Sequence, residues 1–401
     1  MATFDILIPV RDRAWTLRHT LSTILEQDFT DFRIVVCDNQ SKDNLVEVLG
    51  EFTDPRIEYV LSPEPLSMTD NFEFALSHAT GQWVACLGAD DGLLPGCLSQ
   101  VLRLAELTGC EAINGAPSTY FWPGLSGQET SSLVLATRSG HEVREIAPLR
   151  AALLSGALSF QNFPHLYTGS FVKLDLIQRA RASDGRFYRS AIPDLYSSLV
   201  LSFHLDRYVH SLTPLALSGI SPSSTGAAFL GMIDQADVVE ATRQELRSQL
   251  RSDNRQAYLH LQILWDTYMI AKSHSPGLFP DRKMEEYLAE SIFYEFTLLR
   301  SNGSFLALRE AFRECMRGRT RFFEILKNVP VSFARIFRYR LMAVIRQRYV
   351  LVEHWSDEVK NIHEACLYAG RILQSPAAPQ SWVQMLIGGI KKRRLLAPQD
   401  Q

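Results

Sequence analysis

The 401-residue chain has no CxxC pair: its six cysteines, Cys37, Cys86, Cys97, Cys110, Cys315 and Cys366, are scattered, which suggests neither a zinc knuckle nor a disulfide framework. Free thiols fit a reducing cytosol. Charge of one dominant sign is also missing. Lys+Arg 41 against Asp+Glu 44 give a formal net charge of -3, which argues against a dedicated nucleic-acid coat, although balanced sums can hide segregated charge. The longest uncharged stretch, between Arg207 and Asp234, is broken throughout by Ser, Thr, Pro and Gly and makes no clean bilayer-crossing helix. MATFDILIPV carries no basic n-region or cleavage site, so no signal peptide is expected. Internal repeats, low-complexity tracts and a Gly-rich, Lys-containing phosphate loop after the first strand are absent too. What remains, 46% hydrophobic and 21% charged residues, is the composition of a soluble globular protein of two or three domains, or of one large domain with an appendage.

The first third alternates strand and helix. Asp5-Val10 is a short apolar run, and Leu17, Leu21, Ile24 and Leu25 then recur at helical spacing. Arg33-Cys37 is a second strand, followed by an Asp38-Ser41 loop and a helix from Asp43, whose side chain can cap it, to Phe52. Arg56-Val60, Met68-His78 and Gln82-Leu87 read as strand, helix and strand. This order implies an α/β, doubly wound, mostly parallel sheet with helices on both faces, whose ligands sit at the carboxyl ends of the strands. Residues 110–230 are less regular, with short strands near Ala112-Gly115, Thr119-Phe121 and Leu133-Ala136, and helices near Leu149-Leu154, Lys173-Arg181 and Pro193-His204. From Asp234 onward the pattern is helical, so a boundary is expected near 230, dividing 1–230 from a helical extension over 231–401.

Two strand ends bring acids to the same edge: Asp38, and Gly88-Ala89-Asp90-Asp91-Gly92. Carboxylates so placed are an expected seat for a divalent cation and the phosphates it bridges. Either loop alone is as easily a turn or a helix cap.

Four blocks, ILIPVRDRAWTL from Ile6, IVVCDNQSKD from Ile34, NFEFALSHATG from Asn71 and LGADDGLLP from Leu87, resemble in order and spacing the family 2 glycosyltransferases of the GT-A (nucleotide-diphospho-sugar transferase) fold. The resemblance covers about the first 100 residues, weakens over 110–230, and implies sugar transfer from a nucleotide-sugar donor to a hydroxyl acceptor with inversion, using Mn2+ or Mg2+. It assigns Asp91 to the metal and Asp90 to the donor sugar or ribose. Asp38 would read the base, Pro9, Val10 and Arg11 would form the nucleotide floor, and Asp70 and Asn71 would face the donor or act only as caps. Asp194, opening a helix about 100 residues after the acid motif, would be the general base. Pro193-Asp194 is equally a good helix start by itself. Three positions depart from the family pattern: Gly88 stands where many relatives have a first Asp, Arg11-Asp12 replaces Tyr-Asn, and Pro193 precedes the base candidate in place of a second acid.

His165 and Tyr167 lie in a segment that lines the acceptor side or merely packs. The Ser218-Gly226 loop reads as a lid over the diphosphate or as a linker, and Trp83 and Trp122 read as packing residues. Between Arg313 and Arg348, Lys+Arg 10 face Asp+Glu 2, interleaved with aromatics, and Trp382-Ile390 is followed by Lys391-Lys-Arg-Arg394. That combination suits an anionic membrane surface, a solvated basic face or a homo-oligomer contact. The expected partners are a nucleotide-sugar donor and a saccharide or lipid-linked saccharide acceptor, with no nucleic acid. The expected location is cytoplasmic, at the inner face of the membrane if the tail binds lipid. The competing readings are a catalytically idle scaffold of this fold in a glycan-assembly complex, and a nucleotidyltransferase.

Overall fold

The computed structural model describes residues 2–125, 131–155, 158–224, 260–281, 330, 334, 351–356 and 359–374. Strands β1 (Phe4–Val10), β2 (Phe32–Asp38), β3 (Ile57–Leu61) and β4 (Trp83–Cys86) lie parallel in the order β3-β2-β1-β4. Helices α1 (Ala14–Leu25), α2 (Leu45–Gly50) and α3 (Met68–Ser77) make the crossovers. The central strands are apolar on both faces because helices cover both. Leu7, Val35 and Cys86 face one core, while Ile6, Ile8, Ile34 and Val36 face the other. Full burial of such a side chain contributes about 1.5–3 kcal/mol.

Beyond β4 the sheet is mixed. The strand β6 (Ala112–Gly115) is separated from β4 by β10 (Ser170–Lys173), which runs antiparallel to both. Then come β11 (Arg207–Ser211), parallel to β6, and β9 (His141–Glu145) at the edge, completing eight strands. The helices α4 (Cys97–Thr108), α5 (Ala147–Leu154), α6 (Leu174–Ala180) and α7 (Pro193–His204) pack on this half. Four of these elements escape the sequence reading. β9 and β10 are four to five residues long and lack a clear alternation, β5 (Gly92–Leu93) has two residues, and α4 sits between two left-handed glycines, Gly96 and Gly109.

A second sheet of five strands, β13-β8-β7-β12-β5, uses β7 (Thr119–Phe121), β8 (Ser131–Ala136), β12 (Ala216–Ile220) and β13 (Leu351–Ser356). Here the expected helical extension of residues 231–401 requires a correction. β13 is a strand, antiparallel to β8 from Leu351 opposite Ala136 to Ser356 opposite Ser131. The helix α9 (Ile362–Gln374) buries Ile362, Ala365, Cys366 and Ala369 against Leu94, Tyr120, Trp122 and Leu217. The α9 face was amphipathic in sequence, and its partner is the acid-motif side of the first domain. The helix α8 (His260–His274) docks on α7, where the Ser190 and Thr267 hydroxyls meet at 2.8 Å. Among the described residues, no helix is long and apolar enough to cross a membrane. The basic stretch 313–348, apart from Pro330 and Ala334, and the tail 375–401 lie outside the described residues.

Candidate active site

The carboxyl edge of the parallel strands carries the acids. Val10 and Asp38 are register neighbours at the ends of β1 and β2, and the next turns are tied together, with Asn39 N donating to Val10 O at 2.8 Å. Asp38 is buried, and its carboxylate accepts from Ser41 N at 2.8 Å and from the Tyr59 hydroxyl at 2.9 Å. Burial and the bond to Asp38 push the Tyr59 phenol up to about 12, so it stays a donor. A carboxylate has about four lone-pair sites, so Asp38 keeps capacity for a base N–H. Asp43 does not cap α2. Its Oδ2 accepts from Ala14 N at 2.8 Å and caps α1 instead, because the 38–43 turn folds back over the β1 end.

Pro9 and Val10 end β1, and Arg11 is exposed, facing Asp12 at 3.8 Å. The cation that does reach the acid motif is Arg13. It bonds the Ser223 carbonyl, and its charge favours ionisation of Asp90. Sequence reading missed it, since Arg13 looks like one more polar helix-entry residue.

The Gly88-Asp91 turn is held from three sides. Thr20, buried on α1, shares its hydroxyl between the carbonyls of Ala89 at 2.9 Å and Asp91 at 2.7 Å, and Trp122 Nε1 donates to the Asp90 carbonyl at 3.1 Å. Trp122 therefore packs and braces, and Trp83 is buried. Asp91 Oδ1 accepts from Gly219 N at 2.7 Å; Oδ2 accepts from Gly88 N at 2.9 Å and from the Thr168 hydroxyl. Asp90 Oδ2 accepts from Ser221 Oγ at 2.7 Å. Ser218–Ile220 thus belong to β12 and the following Ser221 touches the motif, which neither a lid nor a linker anticipated; Thr225 and Gly226 lie outside the described residues. A Cβ at Gly219 would meet the Asp90 carbonyl oxygen at 1.7 Å, so no other residue lets β12 approach this closely.

Both acids are buried, and both have raised pKa values: Asp90 from burial, against Ser221 and Arg13, and Asp91 from burial and then the neighbouring Asp90 charge, against its three donors. Two desolvated, mutually repelling carboxylates are a hard-oxygen set that suits Mn2+ or Mg2+. Among the described residues no group of three or more His, Cys, Asp or Glu completes a cage, so diphosphate oxygens and water would have to supply the other ligands.

Asp194 is half-buried in the first turn of α7 behind Pro193. Its Oδ1 accepts from Leu195 N at 2.8 Å, and burial pushes its pKa up to about 6. The Tyr167 phenol lies in the field of Asp91, Asp90 and Asp194 together, so the acid motif and the α7 carboxylate are both near this residue. Asp70 and Asn71 do not join them in the same way. Asp70 is in a capping arrangement with Ser67 and in an ion pair with Arg186; burial would raise its pKa, but Ser67 and Arg186 together lower it. Asn71 is buried, and its Oδ1 has no partner among the described residues. His165 is a structural residue: buried, bonded through Nδ1 to Phe163 O at 2.8 Å, and driven down to about 4 by burial, it is neutral.

Residues 5–151 match the model of Glycosyl transferase family 2, a span that contains every acid of the carboxyl edge except Asp194. Over these residues the chain is similar to the family 2 glycosyltransferases. The chain is 32% identical over 109 residues to the GalNAc(5)-diNAcBac-PP-undecaprenol beta-1,3-glucosyltransferase of Campylobacter jejuni, covering 26% of this chain and 35% of that protein. It is 29% identical over 87 residues to the UDP-Glc:alpha-D-GlcNAc-diphosphoundecaprenol beta-1,3-glucosyltransferase WfgD of Escherichia coli, covering 22% of this chain and 34% of that one. The chain thus spans about a third of the length of these curated relatives. The S. aureus TarS 1-349 structure superposes with a TM-score of 0.44 at 11% identity, over 89% of this chain and 97% of that one. The α/β fold of this region stands on its own sheet order, and its likeness to the family on the family match.

Proposed function

We propose that the chain is a metal-dependent, inverting glycosyltransferase that moves a sugar from a nucleotide donor to a hydroxyl acceptor. The observation that carries this reading is that a buried carboxylate pair, Asp90 and Asp91, and a third carboxylate of raised pKa, Asp194, all lie near one residue, Tyr167. The pair belongs to the donor. Asp91 would hold Mn2+ or Mg2+, with Asp90 beside it facing the sugar or ribose. The ion, when bound, supplies positive charge to the departing diphosphate. Asp38 accepts from the base, the Pro9-Arg11 turn lines the nucleotide, and Arg13 adds charge on the phosphate side. Asp70 and Asn71 stand at the α3 start beside the donor.

Asp194 takes the proton of the acceptor hydroxyl as its oxygen attacks the anomeric carbon; the bond from that carbon to the phosphate oxygen breaks with its electron pair passing to the diphosphate. A carboxylate with a pKa of about 6 is ionised at neutral pH yet basic enough for this work. Attack from the side opposite the leaving group inverts the anomeric centre. The two relatives named for undecaprenol-linked substrates support a lipid-linked saccharide acceptor and a role in surface polysaccharide or glycolipid synthesis. That acceptor would bring the chain to the inner face of a membrane, where the basic tail has its use.

The test is donor turnover. Incubated with UDP-glucose or GDP-mannose and Mn2+, the full chain is expected to hydrolyse one donor slowly without acceptor, and Asp91→Ala to abolish it. Absence of any metal-dependent donor binding would instead favour the scaffold reading.

A further inference from the structure

The position of Gly88 has a structural counterpart in Tyr167. A Cβ built on Gly88 would stand 2.5 Å from the Tyr167 hydroxyl oxygen and 2.7 Å from Asp91 Oδ2. The space that a first acidic side chain would enter is therefore filled by a phenol from a loop 79 residues further on. That loop is held firmly: Leu166 is fully buried in a left-handed conformation, φ 43°, and Gly169 follows at φ 79°. The Tyr167 ring packs on Phe72 with centroids 5.8 Å apart, which fixes where its hydroxyl points.

The hydroxyl has no hydrogen-bond partner among the described residues. Asp91 Oδ2, which flanks the same Gly88 position, already takes two donors, Gly88 N and the Thr168 hydroxyl, which use both lone-pair directions of an sp2 oxygen. A tyrosine hydroxyl is protonated at neutral pH. An O–H donor without an acceptor among the described residues thus stands beside the acid motif, at the position a Gly88 side chain would take.

We propose that Tyr167 is a donor-binding residue, whose hydroxyl occupies the place left by Gly88 and donates to an oxygen of the sugar nucleotide. The inference rests on the glycosyltransferase reading. It also gives the Gly88 departure a purpose: the motif loses one negative charge beside an anionic diphosphate and gains a neutral donor.

Titration calorimetry of the full chain with UDP-glucose, GDP-mannose, UDP and GDP, each with Mn2+, tests it. A sugar nucleotide is expected to bind the wild type, and Tyr167→Phe to weaken it about tenfold, the size of one hydrogen bond to an anionic oxygen, with an unchanged melting temperature. An equal loss for the bare nucleoside diphosphate assigns the acceptor to the diphosphate; a loss confined to the sugar nucleotide assigns it to the sugar. Gly88→Ala, which displaces the hydroxyl, is expected to weaken binding in the wild type more than in Tyr167→Phe. Equal affinity of the wild type and Tyr167→Phe overturns the assignment of Tyr167 alone. Binding of no probe by the wild type overturns the transferase reading and this inference together.

Discussion

At the scale of single residues, the carboxylates sort by edge. Asp5, at the opposite end of β1 from the acid motif, is fully buried and accepts from Thr80 N at 2.6 Å, Gly81 N at 2.7 Å and the Arg33 guanidinium at 2.9 Å. It is an anchor between β1, β2 and the β4 entry. Asp5→Ala would leave the Thr80 and Gly81 backbone donors unpaired, while Arg33 keeps Glu58 at 2.8 Å, so a loss of about 1–3 kcal/mol per stranded donor is expected in denaturant unfolding. Asp194 should behave in the opposite way. Its folded pKa of about 6 lies above the unfolded value, so the folded state holds more protons between roughly pH 4 and 6 and stability falls as pH rises through that window. Asp194→Asn is therefore expected to melt no lower than the wild type at pH 8, while its transfer rate drops by about 10²–10⁴-fold. The wild-type rate should climb with pH to half its plateau near 6. A transfer rate left at the wild-type level in Asp194→Asn would remove Asp194 from the base role.

At the scale of elements, the acid motif depends on neighbours that sequence proximity does not reveal. Thr20 and Thr23 on α1, buried three residues apart, look like interruptions of an apolar stripe; in the fold they bond the backbone of the Gly88-Leu93 turn. β12 closes the same turn through Gly219, so Gly219→Ala is expected to lower the melting temperature sharply and to abolish donor binding, since the clash is with backbone and not with a movable side chain. The helix α9 completes the layer. Ile362→Ala, deleting a fully buried side chain against Leu94 and Tyr120, should cost about 2–5 kcal/mol although it lies more than 200 residues after the family match ends. The periodic strands and helices up to β4 were legible because their apolar spacing is local. So was the placing of Asp38 and of the Gly88-Asp91 turn after parallel strands, β2 and β4, on either side of β1. The capping of α1 by Asp43, the reach of Arg13 toward Asp90, and the Tyr167 hydroxyl in the gap at Gly88 were not. Each is a contact between residues that only the folded path of the backbone brings together.

At the scale of the molecule, the net charge of -3 averages unlike parts. The first 230 residues hold the buried Asp38, Asp90 and Asp91, whereas the basic run 313–348 and Lys391-Lys-Arg-Arg394 give the second half an excess of positive charge. If the tail is a membrane contact, removing residues 381–401 is expected to release the chain from vesicles containing anionic lipid, and raising the salt to do the same with the intact chain, since surface attraction decays within a Debye length of about 8 Å at physiological ionic strength. Unchanged partitioning would refute that contact. The pairing of β13 with β8 and the packing of α9 beside the acid motif join the second half to the site, so a chain ended before Leu351 should lose donor binding as well as stability, and not merely its membrane contact.

The most direct measurement of the central claim is donor hydrolysis by the full chain with Mn2+, comparing wild type with Asp91→Ala across UDP-glucose, UDP-N-acetylglucosamine and GDP-mannose. Release of nucleoside diphosphate from one of these donors by the wild type, dependent on the metal and lost in Asp91→Ala, is the predicted result. Release at the same rate in Asp91→Ala, or no release and no binding of any donor by the wild type, would contradict it.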